Sequence, residues 1–312
     1  MKPKLLVVFP LEEIYLDAYA EDFQVLYAPS EGLRRQCLDT HGESIFAVLT
    51  TGNTGLEISD LDAMPALEVI CAFGAGYENV PVAQAKSRGI VVTHSPGAND
   101  DSVADHAMAL LFALVRDVAG ADRATRRGLW RDDLPLRPAL SGKKLGLVGL
   151  GNIGSKIAQR AASGFGMSIG YHARRERSDS AYGYFASLRL LAQWADFLIL
   201  AAPGGEATRH IIGEPELRAL GPQGYLVNVG RGSLIDTQAL AAALRADGLA
   251  GVALDVYESE PEPPRELFAF DRVLLTPHVA GSSPEAMWGC VDRSLQNMKE
   301  MRRRGEPVTP VA

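Results

Sequence analysis

The stretch VGLGNIG, Val148 to Gly154, constrains this chain more than any other. Its glycines stand at 149, 151 and 154, after the apolar run KLGLVGL (144–150) and at the head of the helical pattern NIGSKIAQRAASG. G-x-G-x-x-G alone is weak evidence, but a strand before it and a helix after it are the context in which it carries meaning. Gly149 would allow the tight turn, Gly151 would let backbone approach a pyrophosphate, and Gly154 would let the helix pack on the strand. The N–H groups of Asn152 and Ile153, at the positive end of the helix dipole, would supply an anion site. The pattern predicts a dinucleotide-binding βαβ unit, with a plain glycine-rich turn as the alternative.

Short apolar runs alternate with helical patterns on both sides of this motif. KLLVVFP (4–10), FAVLTT (46–51), LEVICAF (67–73) and GIVVTHS (89–95) read as buried strands. A second series reads the same way: 144–150, SIGYHA (168–173), ADFLILAAP (195–203), GYLVNVGR (224–231), AGVALDVY (250–257) and RVLLTPH (272–278). Near-continuous apolar strands separated by helices predict parallel sheets covered on both faces. The fold class is therefore α/β, with two Rossmann-like, doubly wound domains and a cleft between them. A chain of 312 residues suits two domains of about 150 residues. One long helical pattern covers 102–130 after the turn SPGANDD, and the helical tail 283–305 packs back on the first domain. The expected domains are 1–98 plus 285–312 for substrate, and 99–284 for the dinucleotide.

Composition excludes other classes. The net charge is −7 and the pI about 5.5, so nothing invites nucleic acid. Cys37, Cys71 and Cys290 are scattered and odd in number, which speaks against disulfides and a zinc site and fits a cytoplasmic, reducing setting. No metal is implied. The apolar start MKPKLLVVFP is too short for a signal sequence and reads as a strand. No apolar run reaches the roughly 18 residues of a membrane span; HAMALLFALV (106–115) reads as a buried helix.

The fingerprint calls for an Asp or Glu about 20 residues beyond the glycines, to hold the ribose hydroxyls of NAD. Eighteen residues past Gly154 stands His172, and no acid follows until Glu176. The turn offers His172, Arg174 and Arg175 instead. Guanidinium forks match phosphate in charge and geometry, so NADP is the expected cofactor and NAD the weaker alternative. A solvated surface turn is the other reading of RRER.

Three polar residues follow strands in the second series: Arg231 after LVNVG, Glu260 in LDVYESEP and His278 in LLTPH. In open α/β sheets, ligands bind at the carboxyl ends of strands. Reduction of a 2-keto acid needs a cation for the carboxylate and carbonyl, and an acid for the new alkoxide. It also needs a group that tunes and orients that acid. Arg231 suits the first task, His278 the second, and Glu260 the third, raising the pKa of a paired His278. Each residue alone has a structural reading; their place on successive strand ends joins them.

VGLGNIG, LVNVGRGSLIDTQALAAAL, LAGVALDVYESEP and LLTPHVAG together resemble the D-isomer-specific 2-hydroxyacid dehydrogenases over nearly the whole chain. The resemblance implies Arg231, Glu260 and His278 as the active-site set and Asp255 facing the nicotinamide carboxamide. It implies cofactor contacts at Pro203, Thr208, Val229, Gly230 and Gly281, with Arg231 and His278 also beside the cofactor. The loop FGAGYENV would bind the substrate carboxylate through the amides of Ala75 and Gly76, and Thr51 and Gly52 would face the substrate. A homodimer built on the long helix is implied as well.

The turn YHARR resembles the NADPH-using glyoxylate and hydroxypyruvate reductases of that family. Asn152 stands where arginine is common, glycines replace PLT in AAPGGEATRHII, and Asp105 replaces a frequent glutamate. The loop LTTGNTGLE lacks the phosphate-holding arginines of phosphoglycerate-oxidising relatives, and formate dehydrogenase relatives carry glutamine in place of Glu260. Small 2-keto acids remain: glyoxylate, hydroxypyruvate, pyruvate, phenylpyruvate (giving phenyllactate) or a sugar acid. Trp288 and Met287 do not decide among them. The competing class is a catalytically silent dinucleotide sensor of the same fold, which would tolerate loss of one of the three site residues.

Overall fold

The computed structural model describes residues 2–311. The chain divides into two compact units, one running to Asp100 and resuming at Gly281, the other from Asp101 to Ala280. Among the described residues the first unit holds a five-stranded parallel sheet: β1 (Lys4–Val7), β2 (Gln24–Tyr27), β3 (Ile45–Thr50), β4 (Val69–Ala72) and β5 (Val91–Thr93). Their spatial order is β2-β1-β3-β4-β5. β2 was not among the sequence-predicted strands. It lies at the sheet edge with both ends exposed, so it lacks the unbroken apolar run that marks strands buried on both faces.

The helix Pro284–Arg304 belongs to this unit. Ser283 caps it, its Oγ accepting the Ala286 N–H at 3.1 Å, and Gly305 ends it at φ +75°. Val291, Met298 and Met301 pack with Leu5, Val7, Tyr19 and Val69. A fully buried aliphatic side chain of this kind contributes about 1.5–3 kcal/mol.

The second unit is built on β6 (Lys144–Val148), β7 (Ser168–His172), β8 (Gly183–Tyr184), β9 (Phe197–Leu200), β10 (Tyr225–Asn228), β11 (Gly251–Leu254) and β12 (Val273–Leu275). The order is β12-β11-β10-β9-β6-β7-β8, and every pair is parallel. The sequence predicts six strands here; the seventh, β8, has two residues and leaves no periodic signal. Leu145, Leu147 and Phe197 pack on one face with Met108, Leu111 and Ile157. Val148, Leu198 and Leu226 pack on the other with Leu217, Leu240 and Leu244. The chain runs outward from β6 to β8 and returns to β9, so the order reverses between β6 and β9. Such a reversal opens a crevice at the carboxyl ends of the strands.

The predicted helix over 102–130 is two helices, Asp100–Val115 and Val118–Arg126. Asp117 between them is left-handed at φ +50°, a conformation Asp tolerates better than most residues. Its carboxylate pairs with Arg137. It also lies over Gly120, where a Cβ would stand 2.3 Å from Asp117 Oδ1. No helix is long and apolar enough to cross a membrane among the described residues. Burial pushes the thiols of Cys71 and Cys290 up to about 12, so both serve as core side chains rather than nucleophiles.

Candidate active site

The glycine loop joins β6 to the helix Asn152–Phe165. Gly149 has φ +95°, and its N–H donates to the His172 carbonyl at 2.9 Å. A Cβ at Gly154 would stand 2.1 Å from the Gly149 carbonyl oxygen, so the helix starts pressed onto the loop. Nothing lies within 4 Å of the Cβ position at Gly151, the first residue before the helix. This open face beside a helix N-terminus fits a pyrophosphate approached by backbone, with Asn152 exposed and Ile153 half-buried.

β7 ends at His172, whose Nδ1–H donates to the Phe185 carbonyl at 2.8 Å. Arg174 and Arg175 are exposed beyond it. The third arginine of the turn, Arg177, is tied down. Its Nη1 donates to the Leu150 carbonyl at 2.6 Å, and its Nε and Nη2 donate to Asp179 at 2.9 and 2.6 Å. In the loop after β9, the Thr208 hydroxyl donates to the carbonyls of Pro203 (2.9 Å) and Gly205 (3.1 Å).

Arg231 follows β10 in a turn set by the buried Asn228. The Asn228 amide donates to the Arg231 carbonyl at 2.9 Å and its oxygen accepts the Gly230 N–H at 3.0 Å. Val229 is buried, and a Cβ at Gly230 would meet the Ala202 carbonyl at 2.7 Å. A Cβ at Gly232 would fall 1.9 Å from the Tyr257 carbonyl carbon, so the Arg231 segment lies against the segment carrying Glu260.

His278 Nδ1 lies 2.8 Å from Glu260 Oε2. Glu260 Oε1 accepts the Tyr257 N–H at 2.9 Å, so the carboxylate is fixed on one side and holds the ring with the other. An acceptor carboxylate places the hydrogen on Nδ1, and Nε2 becomes the nitrogen presented outward. His278 is left-handed at φ +54°, an uncommon state for a residue with a Cβ. Asp255 holds it there. The His278 N–H donates to the Asp255 carbonyl at 2.8 Å. The Asp255 carboxylate accepts the N–H groups of Val279 and Ala280 at 3.0 Å each and the Thr276 hydroxyl at 2.6 Å. Since the Thr276 proton is spent on Asp255, His106 Nε2–H donates to Thr276 Oγ1 at 3.1 Å. Asp255, only 1% exposed, therefore builds the turn that presents His278. Sequence reasoning assigned it to the nicotinamide and missed this task, together with Thr276 and His106. Only the backbone N–H groups that follow the histidine reveal it.

Burial, with Asp255 and Glu260 adding to it, pushes the Tyr257 phenol up to about 12. It stays protonated and donates to the Thr276 carbonyl. A second pair lies beside the first: His210 Nε2 is 2.6 Å from Glu258 Oε1, and Glu258 Oε2 accepts from the Thr237 N–H and hydroxyl.

In the first unit, Thr51 follows β3 and its hydroxyl joins Thr54 at 3.0 Å. A Cβ at Gly52 would stand 2.7 Å from the Gly76 carbonyl carbon, so the loops holding Thr51 and Gly52 and holding Ala75 and Gly76 pack together. The Ala75 carbonyl accepts from His94 Nδ1 at 3.0 Å. Gly281 packs on Asn99. Met287 lies with the core, and Trp288 meets Tyr15 edge-on at 5.0 Å. A cavity of about 420 Å³ in the second unit is lined by Arg123, Arg127, Arg137, Arg272 and Tyr225. Tyr225 and Val273 of its wall open their strands, so it lies at the amino ends, away from Arg231, Glu260 and His278.

Residues 108–280 match the family model described as the D-isomer specific 2-hydroxyacid dehydrogenase, NAD binding domain. The chain is 35% identical to a glyoxylate/hydroxypyruvate reductase A of Arabidopsis thaliana over 308 residues, 98% of each chain. It is also 35% identical to a hydroxyphenylpyruvate reductase of Plectranthus scutellarioides, again over 98% of each. Among solved structures it resembles an NADPH-dependent glyoxylate/hydroxypyruvate reductase of Sinorhizobium meliloti in complex with NADP and malonate. The TM-score is 0.91 at 36% identity, covering 100% of this chain and 97% of that one. With the strand order, the glycine loop and similarity along nearly its whole length in agreement, the chain belongs to the D-isomer-specific 2-hydroxyacid dehydrogenases and is a nicotinamide-dinucleotide oxidoreductase.

Proposed function

We propose that this protein reduces a small 2-keto acid of the glyoxylate and hydroxypyruvate type to the D-2-hydroxy acid, with NADPH as the preferred cofactor. The observation that carries the reading is the His278–Glu260 pair at 2.8 Å, on strand ends that also carry Arg231. When bound, a nicotinamide dinucleotide would supply hydride chemistry at the substrate carbonyl carbon. Arg231 binds the substrate carboxylate and polarises the carbonyl. His278 carries the proton on Nε2 and delivers it to the carbonyl oxygen as that oxygen gains charge. Glu260 accepts from Nδ1, keeps the ring oriented and stabilises the imidazolium before transfer. With 35% of its side chain exposed, His278 recovers its proton from water.

The amides of Asn152 and Ile153 and the bare backbone of Gly151 would hold the pyrophosphate, while Arg174 and Arg175 would hold the 2′-phosphate. Pro203, Thr208, Val229, Gly230, Asp255 and Gly281 complete the cofactor contacts. Ala75 and Gly76, with Thr51 and Gly52 beside them, hold the substrate. The protein works in the cytoplasm as a homodimer through the stretch 118–136, where Val118, Trp130 and Leu136 are 55%, 69% and 101% exposed. Three large apolar side chains exposed within one stretch support this placement.

The kin sharing this fold include enzymes named for glyoxylate, hydroxypyruvate and hydroxyphenylpyruvate, and chirality of product tests the shared chemistry. Hydroxypyruvate and NADPH should yield D-glycerate. Formation of the L isomer, or no product from either small keto acid, would overturn the proposal.

A further inference from the structure

The turn after β7 carries three arginines that look equivalent in sequence and are not equivalent in space. All three are exposed; what separates them is their hydrogen bonds. Arg177 reaches back to the glycine loop, donating to the Leu150 carbonyl at 2.6 Å. Its backbone N–H donates to the Tyr171 hydroxyl at 2.8 Å, and Tyr171 is fully buried in β7. Its remaining fork is closed on Asp179 by bonds of 2.9 and 2.6 Å. On the other side of the turn, the Tyr184 hydroxyl donates to the Ala173 carbonyl at 3.3 Å. The segment between these anchors is held at both ends, and Arg174 and Arg175 project from its middle.

We propose that Arg177 is a positioning residue for cofactor choice: paired with Asp179, it straps the turn to the glycine loop and so holds Arg174 and Arg175 where a 2′-phosphate is recognised. The inference rests on the reading of Arg174 and Arg175 as the phosphate ligands. A guanidinium forked onto a carboxylate has spent the geometry that a phosphate would need. Asp179 therefore sorts the arginines, one to hold the turn and two to meet the ligand. A flexible turn would have to order its arginines on binding, and that ordering cost would fall on NADPH far more than on NADH.

The test is equilibrium binding of NADPH and NADH to the full-length protein, read by nicotinamide fluorescence, with melting temperatures confirming that each variant is folded. Arg177→Ala should weaken NADPH by roughly tenfold and NADH by less than about twofold. Arg177→Lys should recover only part of the loss, since one ammonium cannot span a carbonyl and a carboxylate as a fork does. Asp179→Ala should also weaken NADPH. An unchanged ratio of the two affinities in Arg177→Ala, or tighter NADPH binding in Asp179→Ala, would overturn the strap, the latter by showing that a released Arg177 serves as a phosphate ligand itself. The paired change Arg174→Ala with Arg175→Ala separates the two levels. If it leaves the NADPH preference intact, the underlying reading of the turn fails. If it abolishes the preference while Arg177→Ala does not alter it, only the strap fails.

Discussion

At the scale of single residues, the proposed chemistry rests on His278, Glu260 and Arg231. Replacing His278 by Ala should lower kcat by roughly 10²–10⁴-fold with dinucleotide binding nearly unchanged. Turnover at the wild-type rate would remove His278 from its role. Arg174→Asp combined with Arg175→Asp should weaken NADPH by roughly tenfold or more and improve NADH, measured as the ratio of their Kd values. A ratio that does not move would show that the phosphate is held elsewhere. The His278–Glu260 pair was legible in the sequence because both residues follow strands of one sheet and their types suit proton transfer. Asp255 was singled out by resemblance alone, and its work in building the left-handed turn at His278 was not legible. That work consists of bonds to backbone N–H groups at 279 and 280, which carry no residue signature. Arg177 was hidden for a related reason: its tie is to a main-chain carbonyl 27 residues away.

At the scale of elements, the glycine loop was legible because each of its glycines answers a different steric demand. Gly154→Ala would put a Cβ 2.1 Å from the Gly149 oxygen and should abolish dinucleotide binding while the fold survives, as seen by titration and circular dichroism. Glu258, whose backbone lies against Gly232, ties its segment to Thr237 and His210. Burial raises its carboxyl, but hydrogen bonds from Thr237 and His210 outweigh that and leave it below its ordinary value. Glu258→Ala should cost about 1–3 kcal/mol near neutral pH, the cost of unsatisfied partners. A carboxyl lowered in the folded state contributes stability that is present above its unfolded pKa and lost as the pH falls through its folded value. The difference in melting temperature between wild type and Glu258→Ala should therefore shrink on acidification; a difference that persists undiminished would contradict this account of Glu258. β2 and β8 were not legible. An exposed edge strand and a strand of two residues lack the apolar run that identifies their neighbours, because water or the sheet edge replaces one buried face. The break at Asp117 was missed because no proline marks it; a tertiary ion pair with Arg137 and the bare backbone of Gly120 do.

At the scale of the whole molecule, two parallel-sheet units follow from strands too uniformly apolar to face water on either side. The exposed Trp130 and Leu136 support the proposal that a second copy of the chain covers this stretch. Leu136→Asp with Trp130→Ala should yield a monomer by light scattering; a dimer of unchanged mass would place the interface elsewhere. The functional reading depends on strand ends, glycine loop and arginine turn acting together in one reaction. Its most direct test is a steady-state comparison of kcat/KM for glyoxylate, hydroxypyruvate, pyruvate and phenylpyruvate, each with NADPH and with NADH. The account predicts turnover that is highest with glyoxylate or hydroxypyruvate and clearly faster with NADPH. A protein that binds NADPH yet turns over none of the four acids would contradict it and leave a dinucleotide sensor as the better description.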